Sequence, residues 1–367
     1  MSDGVSQLIM EDNMISHNLF HYATSELSQD AFFCWLLSYS SKEGKTLNFD
    51  MFSLSQKFLK AMLGKKDQLE YFVTDIKTQK TVLLNKGKGR LDIFLTIEKI
   101  INNEKLYLII EDKVSSLEHH QIYPYYQAVL KEDSKLYNND NLFISFVKTG
   151  YMNKWERNAI MNNKNFKYTI LTLKDLYYLF QITSENILDY VKDYYQIIKE
   201  NYEYQETIYS ALLNGNFLNI YDHEVNAYLF FDSLYEHQIL HDFIWCGHVS
   251  KNSFECLTWK KIIIKTKPED EVSTYLQLEV HQKKKKVRIM IRMNTSTDFD
   301  SIKLKTEMNQ NMIKYLNYEY NYKITGSRQG KTLGIGFIDF ELDDWKHIKN
   351  TISDFEKAYI RSVEKRL

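Results

Sequence analysis

Apolar positions along this chain fall into two periods, one helical and one alternating. Residues 24–39 carry Leu27, Ala31, Cys34, Trp35 and Ser38 at helical spacing, with Thr24 or Ser25 placed to cap the helix. A second helix is predicted over 54–63, stopping at Gly64. Residues 70–84 read as a strand with a break near Asp75. After the short basic loop KGKGR come two β-type runs, Leu91 to Ile97 and Leu106 to Ile110, on either side of a polar turn at Asn102 and Asn103. A helix over 121–130, strands over 141–148 and 168–171, and a helix capped by Thr172 complete the set. The order helix, three-strand meander, helix, strand, strand, helix predicts an α/β or α+β layer fold, with 121–130 as the crossover.

The character changes after a long helix predicted over 184–206. Helices near 207–213 and 223–240 lead into β-type runs at 254–266, 273–281 and 286–293, then a helix near 299–318, strands near 320–326 and 331–341, and a helix over 343–364. That is a second α+β unit without a catalytic motif. The expected domains are therefore 1–206 and 207–367, although no linker composition marks the boundary.

Composition narrows the function. The net charge is −1, so any nucleic-acid contact must come from a local patch and not from a global basic field. The three cysteines, Cys34, Cys246 and Cys256, lack CxxC spacing, which points to a reducing compartment. The N-terminal MSDGVSQLIMEDNM has no signal-peptide core, and no run reaches the ~18 apolar residues of a membrane span, so a cytoplasmic protein is expected. No GxSxG elbow, Walker loop or HExxH motif is present.

The chemistry concentrates in GRLDIFLTIEKIINNEKLYLIIEDK, residues 89–113. If the two runs pair with Glu98 opposite Lys105, Asp92 falls opposite Glu111. Side chains alternate along a strand, so Glu111 and Lys113 face one way and Asp112 the other. Asp92, Glu111 and Lys113 then gather on one face at one end of the hairpin. Two carboxylates can hold a divalent metal, and an ammonium beside them can steady a phosphate or an attacking water. Other acid-x-Lys triplets occur, at Glu43, Asp75, Asp133 and Asp344, but only the Glu111 copy ends an apolar strand with an Asp in register. Lys86, Lys88 and Arg90 enter the strand that carries Asp92 and read either as phosphate contacts or as a solvated turn. Asp30 reads as a solvated helix charge. His119 and His120 lack partners at a zinc-ligand spacing.

LDIFLTI followed by LIIEDK resembles the core of the PD-(D/E)XK nuclease superfamily, with Leu91-Asp92 in place of Pro-Asp. HHQIYPYYQAV resembles the Gln-x-x-x-Tyr helix of an uncharacterised bacterial branch, which makes Gln121 and Tyr125 candidate site residues on one helix face. Pro124 departs from that branch and requires the helix to start near residues 120–121. SELSQDAFFCWLL resembles the first helix of the branch, where an early Glu, here Glu26, completes the metal site. Its alternative role is to interact with the helix dipole. The resemblance covers residues 20–180. It implies a restriction-endonuclease-like mixed sheet flanked by helices and a Mg²⁺-dependent nuclease (with Mn²⁺ as substitute) that leaves 5′-phosphates. Asp92, Glu111 and Glu26 would be metal ligands, Lys113 and Gln121 catalytic, and Lys86, Lys88, Arg90 and Tyr125 nucleic-acid contacts. DNA is the favoured substrate, RNA an alternative. Restriction, repair or phage defence is the expected setting, with a second copy or a partner protein supplying what a neutral chain lacks. A nuclease fold retained only for binding is the competing reading.

Overall fold

A computed structural model describes residues 18–114, 122–161, 168–181, 184–249, 254–267, 270–295, 301–326 and 332–364. The chain divides into two compact units, one of Met1–Met152 and Glu156–Tyr204, the other of Asn153–Trp155 and Gln205–Leu367.

In the first unit, α1 (Glu26–Ser38), α2 (Lys42–Leu47) and α3 (Phe49–Leu63) precede β1 (Tyr71–Leu83), β2 (Lys88–Lys99) and β3 (Glu104–Lys113). Then come α4 (Ile122–Glu132), β4 (Leu142–Lys148), α5 (Lys154–Met161), β5 (Tyr168–Thr172), α6 (Leu173–Leu179) and α7 (Asp189–Leu213), which runs on into the second unit. The five strands lie in the order β1-β2-β3-β4-β5, with antiparallel pairing up to β3 and parallel pairing beyond it. The sheet is therefore mixed, and α4 lies on the connection that parallel pairing of β3 and β4 demands. Local signals set the ends. Ser25 caps α1, Thr172 and Asp175 form a capping box on α6, and Gly64 closes α3 at φ 63°, where a side chain would be strained.

Alternation along β3 sorts the two cores. Leu106, Leu108 and Ile110 pack with α1, α3, α6 and α7; Tyr107 and Ile109 pack with α4 and Ile160 of α5. The β2–β3 register is the predicted one, with Glu98 facing Lys105. It ends, however, at Ile93–Ile110. Beyond that pair β2 stays with β1 as far as Lys88, and β3 stays with β4 as far as Lys113. The two strands therefore part in a fork just where Asp92 and Glu111 begin.

The second unit adds α8 (Glu224–Glu236), β6 (Trp245–Val249), β7 (Phe254–Lys267), β8 (Asp270–His281), β9 (Lys286–Thr295), α9 (Ser301–Tyr315), β10 (Lys323–Ile324), β11 (Thr332–Phe340) and α10 (Trp345–Val363). Its sheet runs β10-β11-β9-β8-β7-β6, antiparallel throughout. The molecule is thus α+β, with one mixed and one antiparallel sheet.

Several expectations are corrected. The helices predicted at 184–206 and 207–213 are one, α7, because nothing across Gln205-Glu206-Thr207 breaks a helix. Helices α2 and α5 and strand β6 were not predicted. The buried face of α1 is Gln29, Asp30, Phe32, Phe33, Leu36 and Leu37, while Leu27 is 63% exposed. The stretch FFCWLL is apolar all round, so its period does not select a face.

Candidate active site

The fork brings four of the predicted residues together. Lys113 Nζ lies 2.8 Å from Glu111 Oε1, 3.7 Å from Asp92 Oδ2 and 3.9 Å from Glu26 Oε2. Asp92 arrives on β2, Glu111 and Lys113 on β3, and Glu26 from the first turn of α1. Lys113 also donates to the Asp112 carbonyl at 2.9 Å, which ties its side chain down at the strand end. The Asp112 N–H donates to Asp92 Oδ2 at 3.3 Å and bridges the gap left by the parted ladder.

Burial grades the group. The side chains of Glu111 and Lys113 are 3% and 10% exposed, that of Asp92 20% and that of Glu26 44%, so the cluster opens to solvent through Asp92 and Glu26. Burial first, and the Asp92 charge second, push the Glu111 carboxyl up to about 8, against the pull of Lys113. Burial alone would lower Lys113; the carboxylates of Glu111, Asp92 and Glu26 outweigh it and hold the ammonium above the ordinary lysine range. Three carboxylates around one ammonium leave surplus negative charge. No donor among the described residues reaches Glu111 Oε2, which is buried. An oxygen-donor set with an unfilled buried lone pair and net negative charge fits a hard divalent cation.

Tyr125 is 7% exposed, and the Arg90 backbone hydrogen-bonds its phenol. Burial and then the Glu111 charge raise that phenol. It therefore borders the carboxylates from the α4 side rather than presenting an open contact surface. A Cβ on Gly89 would lie 2.5 Å from Tyr125 Cε1, so the ring's approach to β2 requires glycine there. Lys86, Lys88 and Arg90 are exposed. Lys86 lines a cavity of about 350 Å³ between the β1–β2 turn and α4, with Asn85, Tyr123, Pro124 and Lys131. Gln121, like His119 and His120, lies outside the described residues.

Asp30 is not a solvated charge. It is 4% exposed, and Asp112, on the face of β3 opposite Glu111, is 0% exposed. Gln29 donates to Asp112 Oδ2 at 2.6 Å and accepts from Thr149 Oγ1 at 2.8 Å. Gln29 lies on the buried stripe of Phe32, Phe33, Leu36 and Leu37, where a glutamine needs a partner, but a stretch apolar all round does not mark that stripe in the sequence. Lys148, which pairs with Lys113 in the β3–β4 ladder, is fully buried and lies 3.2 Å from Glu156; burial lowers it.

Comparison with known protein families, curated proteins and solved structures finds no match. Among the described residues, no helix is long and apolar enough to cross a membrane.

Proposed function

We propose that this chain is a metal-dependent phosphodiesterase of the PD-(D/E)XK nuclease type that cuts nucleic acid, with DNA as its first substrate. The observation that carries the reading is the Lys113 ammonium among Glu111, Asp92 and Glu26 at the solvent-open fork of β2 and β3. The strand order, with α4 crossing from β3 to a parallel β4, is compatible with a restriction-endonuclease-like core.

Asp92, Glu111 and Glu26 would hold Mg²⁺, with Mn²⁺ as substitute, and the ion when bound supplies Lewis acidity at the scissile phosphate. Lys113 would place the attacking water and stabilise charge developing on the phosphate oxygens. Gln121 would assist in orienting that water. Lys86, Lys88 and Arg90 would hold flanking phosphates, and Tyr125 would set the wall behind the carboxylates. Cleavage of the P–O3′ bond leaves a 5′-phosphate and a 3′-hydroxyl. The second unit would supply substrate choice, self-association or a partner surface, in a cytoplasmic role such as restriction, repair or phage defence.

One observation favours a second reading, a nuclease fold kept for binding. Lys113 already engages both Glu111 and the Asp112 carbonyl, as a purely structural lysine would. Incubating the purified protein with supercoiled plasmid, single-stranded DNA and RNA, in Mg²⁺ or Mn²⁺ and in EDTA, separates the two. The expected result is metal-dependent cutting that falls at least ~10²-fold in Lys113→Ala. Binding without cutting, or equal cutting by the variant, overturns the catalytic reading; cutting of RNA alone moves the substrate.

A further inference from the structure

A second group of carboxylates occupies the α1 side of the same fork. Ligand atoms of Asp30, Asp92 and Asp112 all lie within 4.8 Å of one another. The Oδ2 atoms of the two buried members are taken: Gln29 Nε2 donates to Asp112 at 2.6 Å and Gln79 Nε2 to Asp30 at 3.4 Å. Their Oδ1 atoms, both buried, meet no donor among the described residues. These are carboxylates less than one-tenth exposed, close enough to hydrogen-bond each other if a proton lies between them, beside a third acid.

Neutral amides hold the two buried acids, Asp30 and Asp112, in place. Thr149 Oγ1 donates to Gln29 Oε1 at 2.8 Å, which aims the amide nitrogen of Gln29 at Asp112. Gln79 interrupts β1 opposite Asp92 with a left-handed φ of 53°, a strained conformation for a residue other than glycine, and its amide reaches Asp30. Both devices orient carboxylates through neutral amides, as outer partners orient metal ligands. Lys113 reaches Asp92 at 3.7 Å as well as Glu111 and the Asp112 carbonyl, but no ion pair among the described residues reaches the Asp30 or Asp112 carboxylate. Clustered carboxylates in a buried site are costly unless a cation or a proton lies between them.

We infer that Asp30 and Asp112, with Asp92 as third donor, form a second divalent-cation site that shares Asp92 with the site on the Glu111 side. The donor set is carboxylate oxygen throughout, which selects a hard ion such as Mg²⁺ or Mn²⁺ over zinc or copper. Oxygens within 4.8 Å of one another suit an ion roughly 2.0–2.4 Å from each. Asp92, with a side chain 20% exposed, is the route in. The inference rests on the assignment of Asp92 as a metal ligand, but not on nucleic-acid cleavage.

The test counts Mn²⁺ bound to the full chain, by electron paramagnetic resonance of the free ion, in the wild type, Asp30→Asn, Asp112→Asn and Glu111→Gln. The wild type is expected to bind two ions. Each aspartate variant should weaken one of them at least tenfold, and Glu111→Gln should weaken only the other. One ion in the wild type, unchanged by Asp30→Asn and Asp112→Asn, overturns the second site and leaves Asp30 and Asp112 as a pair that shares a proton. One ion that depends on Asp30 and not on Glu111 supports it and removes Glu111 from the proposed active site instead. No bound ion overturns both. Asp30→Asn should melt no lower than wild type in EDTA, since it removes a buried charge; if it does not fold, Asp112→Asn and the wild-type count decide.

Discussion

Both sheets bury carboxylates, and they treat them in opposite ways. In the six-stranded sheet, Glu279 is 1% exposed and meets Arg292 at 2.8 Å, His281 at 2.7 Å and Gln277 at 3.2 Å. Glu255, equally buried, meets His248 at 2.8 Å and Gln282. At the fork of the five-stranded sheet, Glu111, Asp30 and Asp112 each retain a buried oxygen that no donor among the described residues reaches. Buried charge that is fully paired serves the fold; buried charge left partly open is held for something else. Glu224, His248 and Glu255 also place ligand atoms within 4.8 Å of one another, yet both oxygens of Glu255 have partners, so proximity alone does not distinguish the two cases.

The same substitution in both sheets tests this most directly. Glu279→Gln strands the Arg292 guanidinium and disrupts the His281 contact, and should cost about 3 kcal/mol, as for other broken buried pairs. Glu111→Gln should cost far less below about pH 8, because the native Glu111 carboxyl already holds a proton there and its amide removes no charge. Urea denaturation of the two variants measures the difference. Equal losses would mean that the fork is as well paired as the network.

The pH dependence sharpens the contrast. The native Glu111 carboxyl is pushed up to about 8 from its usual 4.5, so between those values the folded protein holds a proton that the unfolded chain has released. Stability therefore falls as pH rises through that window, by on the order of a few kcal/mol, and levels off above it. Glu111→Gln should flatten the slope, which melting curves from pH 5 to 9 would reveal. A Mg²⁺ ion bound there as proposed would displace the same proton, so its affinity should rise with pH toward about 8 and then level. A smaller effect is expected where the fork meets α4. Gly89→Ala puts a Cβ 2.5 Å from the Tyr125 ring and 3.0 Å from Leu84 Cδ1. The overpacking should cost about 1–3 kcal/mol and move the tyrosine away from the carboxylates, visible as a changed Tyr125 ring environment by NMR.

The fork was largely legible in the sequence, and its far side was not. The apolar runs of β2 and β3 fix their register, because a slip by one residue would turn each buried face to solvent. Once Glu98 faces Lys105, Asp92 and Glu111 must come together. That the ladder stops one pair short depends on β1 and β4 claiming the ends of β2 and β3, which no local pattern records. Asp30 reads as a surface charge in the sequence because the groups that meet it, Gln79 on β1 and Asp112 on β3, lie far along the chain. The long α7 was split because sequence change suggested a domain boundary, while the backbone continues as one helix.

The smallest effect lies in the paired network, and its smallness is the point. His248 has a side chain 40% exposed and bonds one oxygen of Glu255, while Gln282 holds the other. In His248→Gln the new amide can donate to the same oxygen, and solvent can replace it where it does not. The loss should therefore be about 0.5–1 kcal/mol, the range of a partly exposed pair. Mn²⁺ binding should be unchanged, because Glu255 keeps its remaining partner and gains no open site. A loss above about 2 kcal/mol would show that the network tolerates a missing donor no better than the fork does, and the distinction between paired and open carboxylates would then lie in burial alone.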